Sequence, residues 1–149
     1  MIYTPSRIES FSGAYEFLSN FYEKTLEYDN RYWPTLEHAY QAMKTLDPDE
    51  REAIRASRSP ALAKRLGRRL KMRDDWDDIK IGLMHELLRV KFRDVQLREQ
   101  LIATGDAELV EGNHWGDTFW GVCKGHGTNW LGRLLMAVRR EIKHERGLV

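Results

Sequence analysis

A carboxylate, an amide and an amine recur at helical spacing in the stretch Trp33-Pro34-Thr35-Leu36-Glu37-His38-Ala39-Tyr40-Gln41-Ala42-Met43-Lys44. Glu37, Gln41 and Lys44 stand at i, i+4 and i+7, so a helix running through them carries all three on one face. Thr35 predicts its start, because a threonine hydroxyl can accept from a free N–H of the first turn. Asp47-Pro48 predicts its stop, because the residue before proline avoids helical geometry. Leu36, Ala39, Met43 and Leu46 point to other sides and are the expected core contacts. A catalytic site for proton transfer needs such a polar set, but the same set is the ordinary make-up of a solvated helix face, which is the commoner case.

Three further stretches could carry chemistry. Residues 112–128 read as one long irregular connection, of a length that is uncommon in compact domains and often functional. It holds Asn113, His114, Trp115, Asp117, Trp120, Cys123, Lys124 and His126. Its two tryptophans are expected to pack on the core or line a pocket. Gly125-His126-Gly127-Thr128-Asn129 opens a final helix. There Asn129 can cap, and free N–H groups at the positive end of the dipole can meet an anion. A tight turn followed by a cap explains the same residues. Residues 53–73 contain no acid but eight bases: Arg55, Arg58, Lys64, Arg65, Arg68, Arg69, Lys71 and Arg73. They could meet phosphates or form a solvated face, and Asp74, Asp75, Asp77 and Asp78 can neutralise part of them. Cys123 and His126 lack a second ligand pair at zinc spacing, so no metal is expected. There is no Walker-type phosphate loop or dinucleotide fingerprint.

The elements that must position these residues are mostly helices. Thr25–Tyr28 and Arg31–Trp33 flank Asp29-Asn30, a candidate hairpin turn. Asp47-Pro48 and Ser59-Pro60 each open a helix with proline in the first turn. A longer helix begins near Asp74, with Trp76, Ile79, Leu83, Leu87 and Val90 at helical period. Another carries Leu97 and Leu101 and stops at Thr104-Gly105. The last runs from about Asn129 to Lys143, with Leu131, Leu134, Leu135, Val138 and Ile142 facing inward. A chain of 149 residues, 42% hydrophobic and 32% charged, suits one folded domain spanning residues 1–149. Lys plus Arg (24) nearly cancels Asp plus Glu (23), so global charge gives no argument for a nucleic-acid or membrane partner. A single cysteine excludes an internal disulfide, and no run approaches the roughly 18 apolar residues of a membrane span. A cytoplasmic location is the simplest expectation, with no obligate protein partner evident.

Taken in order along the chain, these segments resemble the NADAR, or YbiA-like, family. The resemblance rests on Phe17-Leu18-Ser19-Asn20-Phe21, on the Trp33–Lys44 stretch, on Leu66-Gly67-Arg68 and on Arg73-Asp74-Asp75-Trp76. It continues in Lys91-Phe92, Thr104-Gly105-Asp106 and Leu109-Val110-Glu111. It ends in Asn113-His114-Trp115-Gly116-Asp117-Thr118-Phe119-Trp120-Gly121 and in Gly127-Thr128-Asn129-Trp130-Leu131-Gly132-Arg133-Leu134-Leu135-Met136. Thr128 stands where relatives often carry lysine. The resemblance implies a mostly α (α+β) compact multihelical domain with a small N-terminal β-hairpin. It also implies hydrolysis of an N-glycosidic bond to ribose, in phosphoribosylamino-pyrimidine intermediates of riboflavin synthesis or in ADP-ribosylated guanine of nucleic acid. It places Glu37, Lys44, Asp117, Trp120 and Asn20 at the active site.

Breaking a ribose C1–N bond builds positive charge on the sugar and negative charge on the leaving base. Glu37 or Asp117 can stabilise the first or activate water. Lys44 can protonate or stabilise the leaving group, or attack an opened ribose as an amine. Trp115, Trp120 and Trp76 are candidates to contact the base, and Asn20 a ribose hydroxyl. Arg68, Lys124 and the turn before Asn129 are candidates for phosphate. The scheme calls for no cofactor and no metal. The expected partner is a nucleotide-like small molecule or ADP-ribosylated nucleic acid. The competing readings are a non-catalytic ADP-ribose or nucleotide-binding module and a nucleic-acid binder built on the 55–73 basic run, which the near-zero net charge weakens.

Overall fold

A computed structural model describes residues 5–147. In chain order the elements are β1 (Arg7–Ile8), a short 3-10 helix (Gly13–Leu18), β2 (Leu26–Tyr28), β3 (Arg31–Trp33), α1 (Leu36–Ala42), α2 (Pro48–Arg55), α3 (Pro60–Arg68), α4 (Trp76–Lys91), α5 (Val95–Ala103), β4 (Glu108–Leu109), β5 (Gly112–Asn113), β6 (Val122–Cys123) and α6 (Trp130–Glu145). The chain forms two compact units. One is continuous, Asn20–Lys91; the other joins the segment ending at Ser19 to everything from Phe92 onward. No helix of the described residues is long and apolar enough to cross a membrane.

The continuous unit starts with the expected hairpin. β2 and β3 pair antiparallel, Leu26 opposite Trp33 and Tyr28 opposite Arg31. Asp29 and Asn30 both have left-handed backbone, φ 54° and 59°. A two-residue turn of that hand matches the twist of the strands, and Asp and Asn tolerate it better than other non-glycine residues. Trp33 is fully buried and donates its indole N–H to the Tyr28 carbonyl at 2.9 Å, which locks the hairpin to the core.

The helix starts fall where the sequence puts them. Asp47 and Ser59 cap α2 and α3 with side-chain oxygens that accept from Asp49 N and Leu62 N, and proline follows each. One acid after the basic run pairs with it, Asp75 with Arg73 at 2.6 Å, while Asp77 pairs outside the run with Lys80 at 2.9 Å. α4 buries Trp76, Leu83 and Leu87, as its period predicts, and also Met84, Leu88 and Lys91.

Two expectations for α1 are corrected. It ends at Ala42 with Met43 as its C-cap, so Lys44 lies past the helix rather than on its last turn. Leu46, expected in the core, is 66% exposed. No glycine or proline marks the true end. The chain leaves the helix because Thr45 and Lys44 take up tertiary bonds: Thr45 Oγ1 donates to Glu50 at 2.6 Å, and the Lys44 carbonyl accepts from Arg73 N at 2.8 Å.

In the discontinuous unit β1 pairs with β4 in parallel, Arg7 opposite Glu108 and Ile8 opposite Leu109. α5 begins on an Asp94 cap and ends at Thr104-Gly105, with Gly105 at φ 65°. Its C-terminal carbonyl end is met by α6: Arg139 donates to Thr104 Oγ1 and to the Ala107 carbonyl, both at 2.8 Å, and Lys143 donates to the Gly105 carbonyl at 2.7 Å. Cations belong at that end of a helix. α6 buries all five predicted core residues, Leu131, Leu134, Leu135, Val138 and Ile142.

Candidate active site

α1 is short, and every one of its seven residues is buried. α2, α3, α4 and β3 all pack on it. Glu37 is 7% exposed and Gln41 3%, so the solvated-face explanation of these residues does not hold. A buried carboxylate must be hydrogen-bonded or paired, and Gln41 meets that need by donating Nε2–H to Glu37 Oε1 at 2.9 Å. The Gln41 Oε1 on the other side of the amide is buried and accepts from no protein group. Leaving such an acceptor unsatisfied costs about 1–3 kcal/mol. The amide lies against Gly67 of α3, where a Cβ would come within 1.9 Å of Oε1.

The start of the helix is equally determined. Thr35 accepts from His38 N at 3.2 Å, and its hydroxyl also meets His38 Nδ1 at 2.8 Å. His38 Nε2 meets the Ser57 carbonyl at 3.0 Å, so Nε2 carries the proton and Nδ1 accepts from the threonine. Burial lowers the His38 pKa, in keeping with that neutral ring. His38 thus ties α1 to the connection between α2 and α3. Glu37 N donates to the Asn20 carbonyl at 3.1 Å, which fixes Asn20 beside the carboxylate's own residue. Asn20 is buried; its Nδ2 makes only a long 3.6 Å contact with Met84 Sδ, and its Oδ1 has no protein donor.

Lys44 is half-buried, with Nζ 5.6 Å from the Tyr40 ring centroid. Burial pushes its amine below the ordinary lysine pKa; Glu37 opposes the shift, and Arg68, Lys64 and Lys80 add to it. The basic run therefore contributes Lys64 and Arg68 to the electrostatics of this amine, with Arg68 itself exposed. Lys64 also stands 5.9 Å above the Phe21 ring. Trp76 is 4% exposed and packs on Tyr40 with ring centroids 5.2 Å apart, so it backs the tyrosine from within the core. Sequence reading missed Lys64, Lys80, Tyr40 and Gly67 as neighbours of the amine and the carboxylate. Gly67 was visible only as part of a motif, with no local reason for a glycine inside a helix.

The 112–128 segment is ordered by its own bonds rather than irregular throughout. β5 and β6 pair in parallel, Gly112 opposite Val122 and Asn113 opposite Cys123. Cys123 and His126 exchange backbone bonds at 2.8 and 3.0 Å around Lys124 and Gly125. Gly127, at φ 149°, lies where a Cβ would come within 2.1 Å of the Gly121 carbonyl oxygen. Asp117 Oδ1 accepts from Phe119 N at 3.1 Å and Trp120 N at 2.9 Å, while the Asn113 amide holds the Asp117 backbone on both sides. Trp120 packs edge-on against Phe119 at 4.8 Å.

Three expectations for this segment are corrected. Trp115 is 54% exposed and meets His114 edge-on at 5.2 Å, so of the two expectations, core packing or a pocket wall, core packing does not hold. Asn129 has left-handed backbone, φ 56°, and makes no side-chain cap. Its side chain instead accepts from Glu111 N and donates to the Leu109 carbonyl, both at 2.9 Å. The N–H groups of Trp130 and Leu131 at the start of α6 are taken by the Phe119 and Trp120 carbonyls, so this junction is closed by backbone rather than left open for an anion. Lys124 is exposed.

The NADAR domain family profile matches residues 8–143, nearly the whole chain. The chain belongs to the NADAR family. It is 42% identical to N-glycosidase YbiA of Escherichia coli (strain K12) over 141 residues, 92% of this chain and 88% of that protein. It is 39% identical to an N-glycosidase of Nostoc punctiforme over 138 residues, 87% of each. It is 43% identical over 131 residues to a riboflavin biosynthesis protein of Vibrio vulnificus, of whose length it spans only 35%. The NMR structure of the E. coli protein YbiA superposes with a TM-score of 0.84 at 40% identity, covering 94% of this chain and 85% of that one. The multihelical α+β fold is therefore the YbiA fold, and the E. coli and Nostoc relatives are by name N-glycosidases, hydrolases of N-glycosyl bonds.

Proposed function

We propose that this NADAR chain is an N-glycosidase that hydrolyses the C1–N bond of a ribosylated base. The candidate substrates are a phosphoribosylamino-pyrimidine and ADP-ribosylated guanine. The observation that carries the reading is the buried Glu37 carboxylate on α1, a helix packed by four elements, with the half-buried and depressed amine of Lys44 just past the helix end. A solvated helix face has no reason to bury a carboxylate beside an amine.

In this reading water adds its hydroxyl to C1, the C1–N bond breaks, and the leaving nitrogen takes the proton. Glu37 supports the positive charge that grows on the sugar. Lys44 acts on the leaving group, or its neutral form attacks C1 of the opened ribose. That attack gives an imine and frees the base with a proton, and water then returns the sugar and the amine. The unsatisfied Asn20 Oδ1 suits a ribose hydroxyl. Asp117 retains one carboxylate oxygen beyond the one that holds its loop, and is the second candidate acid–base group. Arg68 and Lys124 are candidates for phosphate, and Trp115 and Trp120 for the base; Asn129 and Trp76 serve by holding neighbours in place.

The test is incubation with phosphoribosylamino-pyrimidines, ADP-ribosylated guanine DNA and NAD, followed by mass spectrometry. Free base or free ADP-ribose from one of them is the expected result. Tight binding of every candidate without release would make the chain a nucleotide-binding module instead. Borohydride added during turnover should attach a ribose-containing mass to the Lys44 peptide. Turnover without that mass leaves Lys44 as a charge-stabilising group only.

A further inference from the structure

The Gln41 amide stands between two features that together constrain what Glu37 does. On one side Nε2 donates to Glu37 Oε1 at 2.9 Å, inside the core. On the other, Oε1 faces the α3 backbone at Gly67, where an added Cβ would lie 1.9 Å from Oε1, 2.7 Å from Cδ and 3.2 Å from Cβ of Gln41. Only glycine leaves this space. A glycine inside a helix weakens it, and the buried Oε1 forgoes a protein partner. Both features work against stability, and both keep the N–H side of one amide turned to one carboxylate. A hydrogen bond donated to a carboxylate favours its ionised form.

We propose that Gln41 is a positioning residue for Glu37: it holds the carboxylate ionised and in one direction, and Gly67 makes room for it to do so. The inference rests on Glu37 acting in the N-glycosidase reaction. It assigns Glu37 the role of a charged group that stabilises the sugar cation or accepts a proton from water, and removes it from the role of proton donor to the leaving base. The charged groups that the surrounding elements bring to this place are consistent with an ionised Glu37. Lys44 follows α1, α3 brings Lys64 and Arg68, and α4 brings Lys80; Glu37 and these three cations all act on Lys44. Of the acids of α2, Glu50 is engaged with Thr45, Glu52 with Arg55 and with Arg31 of β3, and Asp49 is exposed, while β3 also contributes the indole of Trp33.

The pH profile of kcat/KM tests this. Gln41→Glu keeps the size of the side chain but sets a second carboxylate about 3 Å from the first, and two such groups cannot both ionise readily. Its acid limb should move up by at least about one pH unit. Gln41→Ala should lower kcat about 10–100-fold with little change in KM, and should move the limb the same way. Gly67→Ala should reproduce that behaviour, and the Gly67→Ala/Gln41→Ala double variant should be no worse than Gln41→Ala alone. Rates that fall in Gln41→Glu, Gln41→Ala and Gly67→Ala with the acid limb unmoved would make Gln41 a structural residue only and overturn the inference. Multiplying effects in the double variant would separate Gly67 from it. Circular dichroism selects the folded variants; Gly67→Ala leaves the glutamine chemically intact, so it supplies the readout if Gln41→Glu does not fold. Glu37→Gln distinguishes the two levels. Full activity there removes the function reading itself, whereas inactivity there with an unmoved limb in the Gln41 variants removes only the positioning role.

Discussion

α1 and the 112–128 segment hold most of the residues that could do chemistry, and they are built in opposite ways. α1 is held from outside. Four elements pack on it, its polar side chains are buried, and two acceptors close to Glu37 have no protein donor. The loop segment is held from inside. Asp117 Oδ1, the Asn113 amide and the Asn129 amide bond the loop's own or adjoining backbone, while Trp115 and Lys124 stand exposed. Buried polar groups with incomplete partners are tolerated where function repays them. Fully engaged ones shape a scaffold. On the proposed function, the contrast favours the helix for the central chemistry and the loop as a frame that presents Asp117 Oδ2 and a few outward groups.

The largest expected effect tests the helix side. Glu37→Gln preserves shape but cannot ionise, so turnover should fall by about 10²–10⁴-fold with the melting temperature little changed. A near-wild-type rate would erase the contrast at once. Next comes the frame. Asn129→Ala strands the Glu111 N–H and the Leu109 carbonyl, and should cost about 2–6 kcal/mol in chemical denaturation, from roughly 1–3 kcal/mol per unsatisfied group. Unchanged stability with weakened substrate binding would show that its side chain is a ligand contact instead.

Lys91 sharpens the picture of the helical unit, because it too is an amine in the core, 3% exposed and 5.8 Å from the Tyr22 ring. Burial lowers its pKa to about 7. Below that pH the amine is charged in both folded and unfolded chains, and the folded state bears the full cost of burying it. Between about 7 and the ordinary lysine value only the unfolded chain holds the proton, so stability should climb with pH, by at most about 1.4 kcal/mol per unit. Lys91→Met should be more stable than wild type below pH 7, and the gap should narrow toward pH 10. A gap independent of pH would mean that Lys91 stays charged in the fold. The smallest effect belongs to the loop's exposed rim. Trp115→Ala should change stability by no more than about 0.5 kcal/mol, with any kinetic change confined to KM. A large loss of stability would put Trp115 in the frame.

Much of the scaffold could be read from local chemistry. Asp29-Asn30 turned the hairpin, and Asp47-Pro48 and Ser59-Pro60 opened their helices, because those signals act within a few residues. The site was harder. The spacing puts Glu37 and Gln41 on one face but describes a wet face equally well, and only the packing of α2, α3 and α4 shows them buried; Lys44, placed on that face by spacing, lies past the helix end. The end of α1 has no local punctuation and depends on a bond from Thr45 to Glu50, five residues on, and on one from Arg73, far along the chain. Asn129 was misread because its left-handed backbone turns the amide away from the helix it precedes. Two-residue strands such as β5 and β6 carry no period to detect.

The parallel pairing of β1 with β4 also orders events during synthesis. Arg7 and Ile8 are made first but cannot find Glu108 and Leu109 until about a hundred further residues have followed. Within Asn20–Lys91, by contrast, β2 pairs with β3 and α1 packs on α2, α3 and α4, all in one continuous stretch of chain. At roughly 5–20 residues per second, translation leaves about 1–4 s between the completion of Lys91 and the arrival of Leu109. The stretch Asn20–Lys91, which holds Glu37 and Lys44, can therefore assemble on the nascent chain while Arg7 and Ile8 still wait for their strand.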